Sequence, residues 1–447
     1  MTKRQIAELK KLSGRRIALL GLGLDNQALL ALLDKARLPV AVTICDARSR
    51  RQLPPVRTKH LPVGYQLGAA SNTGLDKFDV LFRSPGWPLN CPGILAARRR
   101  GRTMITSPIN LFFSLAPTKN IIGVTGTKGK GTTASLIYQI LRAAKRRTKS
   151  RVWLGGNIGI PPLSFIDKIK PHDYVILELS SFQLEDLRYS PRLSVITNLF
   201  PEHLAAADPH NPNFHASVAA YWKAKLNIAR QSSNRYLIAN PDLRIKLTKA
   251  RLPSRISYFR ASSLPTRLTG TYNRENIGAA VEVARRLDIR PAIYRRAIAA
   301  FRNLEHRLEL AAEIKGVKYF DNSFATTPES TILDLHSFSA PLILIAGGAD
   351  KGADFRRLAA TIRAKVKFLI LLEGSATPRL RQTVLAKRFP PARLAGAKSM
   401  ANAVALARRH SVSGDVVLLS AACASFGLFK NYKDRGDQFK HYARSNR

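Results

Sequence analysis

The chain's 447 residues are too many for one hydrophobic core of ordinary size; at roughly 150 residues per domain they divide into about three, and a hydrophobic share of 45% can fill those cores. No stretch of about 18 uninterrupted apolar residues occurs, and Cys45, Cys91 and Cys423 stand far apart without a CxxC pair. Membrane insertion, a disulfide framework and a cysteine zinc site are therefore not expected, and a soluble cytoplasmic chain is. The 73 Lys+Arg against 29 Asp+Glu give a net charge of +44, which attracts anions of every kind, but the basic residues run along the whole chain with only modest clusters at 97–102 and 144–151. No nucleic-acid module accompanies them, so no specific nucleic-acid partner is expected.

Along the chain, short apolar runs alternate with segments of helical periodicity. "RRIALLGLG", "VAVTICD" and "FDVLFRSPG" come first, then "NIIGVTG", "YVILELS", "LSVITNL" and "RYLIAN", and last "PLILIAGG", "KFLILLEG" and "DVVLLSAA". Strands of this length alternating with helices indicate an α/β chain of parallel sheets covered on both faces, with ligands at the carboxyl ends of the strands. Three blocks result: 1–112, opening on the glycine turn of Gly21 and Gly23; 113–303, carrying a second glycine turn; and 304–447, with polar strand ends at 347–355 and 420–432. The first turn shows only part of a dinucleotide fingerprint and is compatible with a plain strand-to-helix connection.

The second turn is more telling. "VTGTKGKGTT" (124–133) precedes a segment in which Leu136, Ile137, Ile140 and Leu141 recur at helical spacing, so Thr132 and Thr133 fall at a helix N-terminus. Glycines 126, 129 and 131 let the backbone approach a phosphate, the helix end favours one, and Lys130 adds a mobile charge. Glu178 ends "YVILE" and His203 follows "SVITNL", both at the same predicted sheet end and both suited to a hard cation; each also has a plain alternative, as a cap partner or a loop histidine. Lys225 falls on the stripe Val218, Trp222, Lys225, Ala229, where an apolar residue belongs. A buried amine there loses its proton easily and can take up carbon dioxide as a carbamate; the alternative is a lysine whose stem packs while its head reaches water.

These residues, with "GGNIGIPPL", "LELSSFQLEDL", "NLFPEHL", "YNRENIGAA", "LEHRLE", "DNSFATTPEST", "GGADKGADF" and "SAACASFGLFKNYKDRGDQF" in that order, resemble the Mur ligases over nearly the whole chain, and "ELSSFQL" is similar to their glutamate-adding branch. The resemblance implies a UDP-substrate domain, a central ATPase and a C-terminal glutamate-binding domain, each a parallel α/β sheet. It also implies the chemistry: ATP activates the carboxyl of UDP-N-acetylmuramoyl-L-alanine as an acyl phosphate, and glutamate, the D isomer in this branch, attacks it. By the same resemblance ATP contacts Gly126, Thr127, Lys128, Gly129, Lys130, Gly131, Thr132, Thr133, Asn273, Asn276 and Arg307. Two magnesium ions are held by Thr132, Glu178, His203 and a carbamoylated Lys225, and catalysis falls to Lys130, His203 and Lys225. The UDP substrate meets Asp46, Arg48, Ser84, Pro85, Gly86 and Asn157, glutamate meets Thr326, Lys351, Ser425 and Tyr432, and His306 lies beside Arg307 between the last two domains. A monomer is implied.

Three departures stand out. Gly131 replaces the hydroxyl residue usual after the loop lysine, so Thr132 is expected to supply that oxygen, as in the "GKG[ST]" loop of folylpolyglutamate synthases. Phe324 takes the lysine position of the "DSKATN" motif and Thr327 its asparagine, a pattern that opens L-glutamate as an alternative acceptor. The Asp-Arg expected after His203 is replaced by the longer "AAADPHNPNF". A folate-type ligase and a non-catalytic polyanion binder are the remaining alternatives.

Overall fold

The computed structural model describes residues 1–204, 212–231, 236–350 and 352–445. They form two compact units, Met1–Ser262 with Glu275–Ile298, and Ser263–Arg274 with Ala299–Arg447.

The first unit holds two parallel sheets. One is built from β1 (Arg16–Leu20), β2 (Ala41–Asp46), β3 (Val63–Leu67), β4 (Val80–Arg83) and β5 (Met104–Thr106), in the order β3-β2-β1-β4-β5. Its central strand is apolar on both sides because helices cover both faces: Ile17, Ala18, Leu19 and Leu20 are all fully buried. The other sheet contains β6 (Ile121–Thr125), β7 (Val152–Gly156), β8 (Tyr174–Glu178), β9 (Leu193–Ile196), β10 (Tyr236–Ala239) and β11 (Arg255–Tyr258), ordered β11-β10-β9-β6-β8-β7. A continuous core joins the two sheets, running from Leu19 and Leu33 through Phe112 and Phe165 to Val175 and Leu237. Because β6 lies between β9 and β8, the loops leaving Thr125, Glu178 and Ile196 emerge side by side.

The second unit is built on β12 (Glu309–Ile314), β13 (Val317–Asp321), β14 (Leu342–Gly347), β15 (Val366–Leu372), β16 (Leu394–Ala397) and β17 (Val416–Leu419), ordered β12-β13-β17-β14-β15-β16. Separate cores cover its two faces, one around Leu344, Leu358 and Leu418 and one around Ile345, Val404 and Phe439.

Two expectations need correction. The third sheet is not wholly parallel: β12 runs antiparallel to β13. Lys315 and Gly316, with φ of 49° and 76°, supply the paired left-handed residues that a two-residue hairpin requires. The helix bearing Lys225 is also shorter than its periodicity suggested. It spans Val218–Leu226 and continues as a 3₁₀ turn, Asn227–Ala229, so the stripe Val218, Trp222, Lys225, Ala229 does not lie on one α-helical face. Tyr221, Ala224 and Lys225 make the buried face, while Val218 and Trp222 are half-buried.

Candidate active site

The strand-to-helix turn after β6 carries the phosphate-loop sequence, and the helix that follows runs Lys130–Lys145. Gly126 and Gly129 have φ of 145° and 81°, regions that side chains disfavour. A methyl group on Gly129 would also overlap the Asn276 side chain. The loop is sewn to the segment after β9. Thr127 N–H donates to the Asn198 carbonyl at 3.0 Å, and Lys128 N–H to Asn198 Oδ1 at 2.8 Å. Thr127 Oγ1 donates to the Phe200 carbonyl at 3.0 Å and accepts from Phe200 N–H at 2.9 Å. Lys130 Nζ curls over the loop to the Thr127 carbonyl at 2.9 Å, and Gly131, Thr132 and Thr133 are enclosed in the first turn. Thr133 Oγ1 donates to Asn276 Oδ1 at 3.3 Å, which puts Asn276 against the loop itself.

Glu178 ends β8 directly beside Val124 of β6 and is 2% exposed. Its Oε1 accepts from Asn157 Nδ2 at 3.2 Å, whereas its Oε2 is buried with no hydrogen-bond partner among the described residues. An enclosed carboxylate oxygen without a donor is costly, and a cation is the natural group to satisfy it. The Lys225 amine sits nearby, also 2% exposed, donating to the Gly126 carbonyl at 2.8 Å and lying 4.9 Å from the Tyr221 ring centre. Burial pushes its pKa well below the usual lysine range; Lys130 and Lys128 push the same way, and Glu202 and Glu178 only partly oppose them. Lys225 is therefore an enclosed amine, not a lysine reaching out to water.

His203 adopts a left-handed φ of 59°. Its ring packs edge-on to Phe182, and its Nε2 lies 3.7 Å from Glu202 Oε2. Crowding pushes the imidazole down to about 4; Glu202 opposes this and Lys225 and Lys130 reinforce it. Although 45% of the side chain meets solvent, the lysines alone favour the neutral ring, the form that binds a cation. Glu202 itself is held down at about 2: burial disfavours its charge, but Lys128, at 2.6 Å, together with His203 and Lys130 more than offsets it. Lys130, Glu178, His203 and Lys225 are thus gathered at one sheet end. Glu202 was not among the residues expected there, although its place between the strand and His203 was a signal.

A cleft of about 540 Å³ opens at the carboxyl ends of β1 and β4. Asp46, Arg48, Ser84, Pro85, Gly86 and Asn157 all line it, as do Asp25 and Gln183. Asp46 receives Arg48 through both oxygens, at 2.9 and 2.7 Å, and accepts the Leu22 N–H at 2.8 Å. Gln183 Nε2 donates to Asp25 Oδ2 at 3.1 Å, linking the two sheets across the cleft. Beneath it the fully enclosed Arg83 binds Asp186 and the Phe182 carbonyl, a latch that sequence reasoning missed.

In the second unit, Thr326, Ser425 and Tyr432 follow the neighbouring strands β13 and β17, and Lys351 lies outside the described residues. The loops are joined by Ala422 N–H donating to the Ala325 carbonyl at 3.0 Å and by a bridge between Ala349 and Ala424. His306 is buried, with Nδ1 2.7 Å from Asp321 Oδ2, and Tyr432 stands edge-on to it. The Arg307 guanidinium lies 3.8 Å over the Phe324 ring. Asn273 donates to the Thr269 carbonyl at 2.6 Å.

Comparison with known families matches the Mur ligase middle domain at residues 124–263 and the Mur ligase glutamate ligase domain at 306–423. A protein of Acetivibrio thermocellus named UDP-N-acetylmuramoylalanine–D-glutamate ligase is 36% identical, covering 98% of this chain and 97% of its own length. One of the same name from Symbiobacterium thermophilum is also 36% identical, over 95% and 97%. Among solved structures, MurF from Acinetobacter baumannii has a TM-score of 0.59 at 13% identity, covering 99% of both chains. The UDP-N-acetylmuramate-alanine ligase of Thermotoga maritima has 0.58 at 16%, covering 97% of this chain and all of the other. The class is that of ATP-dependent amide ligases. The chain belongs to the Mur ligase family.

Proposed function

We propose that the protein joins D-glutamate to UDP-N-acetylmuramoyl-L-alanine at the expense of ATP, the reaction for which its full-length relatives are named. The observation that carries this reading is the pairing of an unpartnered, enclosed Glu178 Oε2 with an enclosed Lys225 amine at the strand end beside the phosphate loop. A simple nucleotide-binding turn has no use for either group.

In this reading the turn at 126–133 and Lys130 hold the ATP phosphates, with Asn276 bracing the loop and Asn273 and Arg307 serving the rest of the nucleotide. Magnesium suits the donors present. Glu178, neutral His203, the Thr132 hydroxyl and Lys225 as its carbamate would hold it, and the metal would offset the negative charge of the phosphates. The substrate carboxylate attacks the γ-phosphorus, the bond to the β-phosphate oxygen breaks, and ADP leaves. The glutamate amine, having lost a proton, then attacks the acyl carbon, and phosphate departs with the C–O electron pair. The chain's own part is to align two anions that repel each other, and Lys130 supplies the charge that makes that approach possible. The cleft lined by Asp46, Arg48, Ser84 and Asn157 takes the UDP substrate, and Thr326, Lys351, Ser425 and Tyr432 take glutamate. In this reading the chain divides into domains 1–112, 113–303 and 304–447 and works as a cytoplasmic monomer.

A second reading, with L-glutamate as acceptor, is favoured by Phe324, which stands 40% exposed between Arg307 and Tyr432 where relatives of the motif carry lysine. Phosphate release measured with UDP-N-acetylmuramoyl-L-alanine and each glutamate isomer in turn separates the two. Release with neither isomer would overturn both.

A further inference from the structure

The phosphate loop contains a second lysine, Lys128, whose side chain donates to Glu202 at 2.6 Å. Both partners are largely enclosed, with side chains 22% and 17% exposed. Building on the nucleotide and metal reading above, we infer that Lys128 is a positioning residue: paired with Glu202, it fixes the segment that presents His203, and it is not itself a phosphate ligand.

Residues 197–203 follow β9 with neither strand nor helix to hold them, and His203 ends the run in a left-handed conformation. Its first half is secured by the Asn198 and Phe200 bonds to Thr127 and Lys128 already described. Its second half is held by the Lys128–Glu202 pair and by the His215 N–H, which donates to the His203 carbonyl at 2.8 Å. Lys128 starts from a rigid base, because its carbonyl accepts from Thr197 Oγ1 at 2.5 Å and from Asn198 Nδ2 at 3.1 Å while its N–H is bound as well. Fixing Glu202 fixes the next Cα, about 3.8 Å along the chain, and with it the histidine ring. Moving Lys128 to a phosphate would strand the Glu202 carboxylate, mostly enclosed, beside an incoming polyanion.

The test is ADP binding by the full chain, with and without magnesium, together with hydrogen exchange of residues 198–204 in the nucleotide-free protein. Lys128→Met and Glu202→Gln should each weaken magnesium-dependent ADP binding about tenfold or more, the scale of losing a group that orients a metal ligand. Each should leave metal-free ADP binding nearly unchanged and speed exchange across 198–204, and Lys128→Arg should restore both readouts. Equal weakening of both forms of ADP by Lys128→Met, with Glu202→Gln leaving binding intact or tighter, would make Lys128 a phosphate ligand and overturn the inference. Should the unaltered chain bind no nucleotide, the proposed function falls, and the exchange rates alone decide whether the pair orders the segment.

Discussion

The two glycine turns of the first unit, at residues 21–26 and 126–132, begin from the same plan: a buried central strand, a glycine with positive φ, and a helix. Their charges are opposite. The first is furnished with Asp25 and Asp46, and Asp46 already occupies the Leu22 N–H that could otherwise meet an anion. Asn26, fully buried, spends its amide on the carbonyls of Leu20, Gly21 and Phe82. The second turn carries Lys128 and Lys130, with a third amine, Lys225, on its carbonyl. A glycine turn before a helix is thus only a scaffold, and the side chains around it decide which charge it can receive.

The comparison is broken most severely by removing the enclosed amine. Lys225→Ala should lower phosphate release at least about a hundredfold, the scale of losing one preorganised charged group at a transition state. Short carboxylates added to this variant should restore part of the rate, and an alanine variant of full activity would remove Lys225 from the chemistry. Next comes backbone conformation. Gly129→Ala should cost about 2 kcal/mol or more, from the left-handed φ and the overlap with Asn276, and should abolish ADP binding. Gly23→Ala, where φ is −79° and a Cβ meets nothing within 4 Å, should cost about 0.5 kcal/mol, since alanine is only a poorer cap. Equal effects in thermal melts would deny the difference between the turns.

A smaller effect tests the acidic turn. Burial alone would raise the Asp46 pKa, but Arg48 and the Leu22 and Arg48 amides more than offset it, leaving the carboxyl below its ordinary range. A depressed folded-state pKa means the charge stabilises fully above the unfolded value near ~3.9 and ceases to do so as pH falls through the folded one. Asp46→Asn should therefore lower the melting temperature at pH 7, by about 1 kcal/mol of stability, and the gap to the unaltered chain should close below pH ~4. A gap independent of pH would show that shape, not charge, is what Asp46 contributes. A change of similar size is expected of Ser217→Ala, which removes the hydroxyl that caps the Lys225 helix through the Ala220 N–H. It should cost about 1 kcal/mol in denaturant unfolding, and more than that in magnesium-dependent ADP binding only if the helix end moves.

Which strands could be read from the sequence follows from where they lie. All ten apolar runs are strands, and all ten occupy inner positions flanked by a strand on both sides. The runs that went unread include β3, β5, β7, β11, β12 and β16, the two outermost strands of each sheet. An edge strand is covered less completely and tolerates glycine and charge, as "VGYQL" and "LAGA" do, so its pattern is weak. The interior strand β13, "VKYFD", was hidden by its charged ends. At the site, Lys130, Glu178, His203 and Lys225 were legible because each is a polar residue at a strand end or on an apolar face. Glu202, Arg83 and Gln183 were not, because their partners Lys128, Asp186 and Asp25 are 74, 103 and 158 residues away. The stripe argument reached a lysine that is indeed enclosed, although Ala229, the last member of the stripe, lies beyond the α-helix.

Arg435 has a consequence for how the molecule is made. Fully enclosed, its guanidinium donates to Ser323 Oγ, the Ser323 carbonyl and the Cys423 carbonyl, clasping the loops after β13 and β17 from the closing helix Tyr432–Arg444. The residues it clasps lie as much as 112 positions earlier. During synthesis the first unit's two sheets can close while the ribosome is still translating, but the loops after β13 and β17 are clasped only once Arg435 has been added.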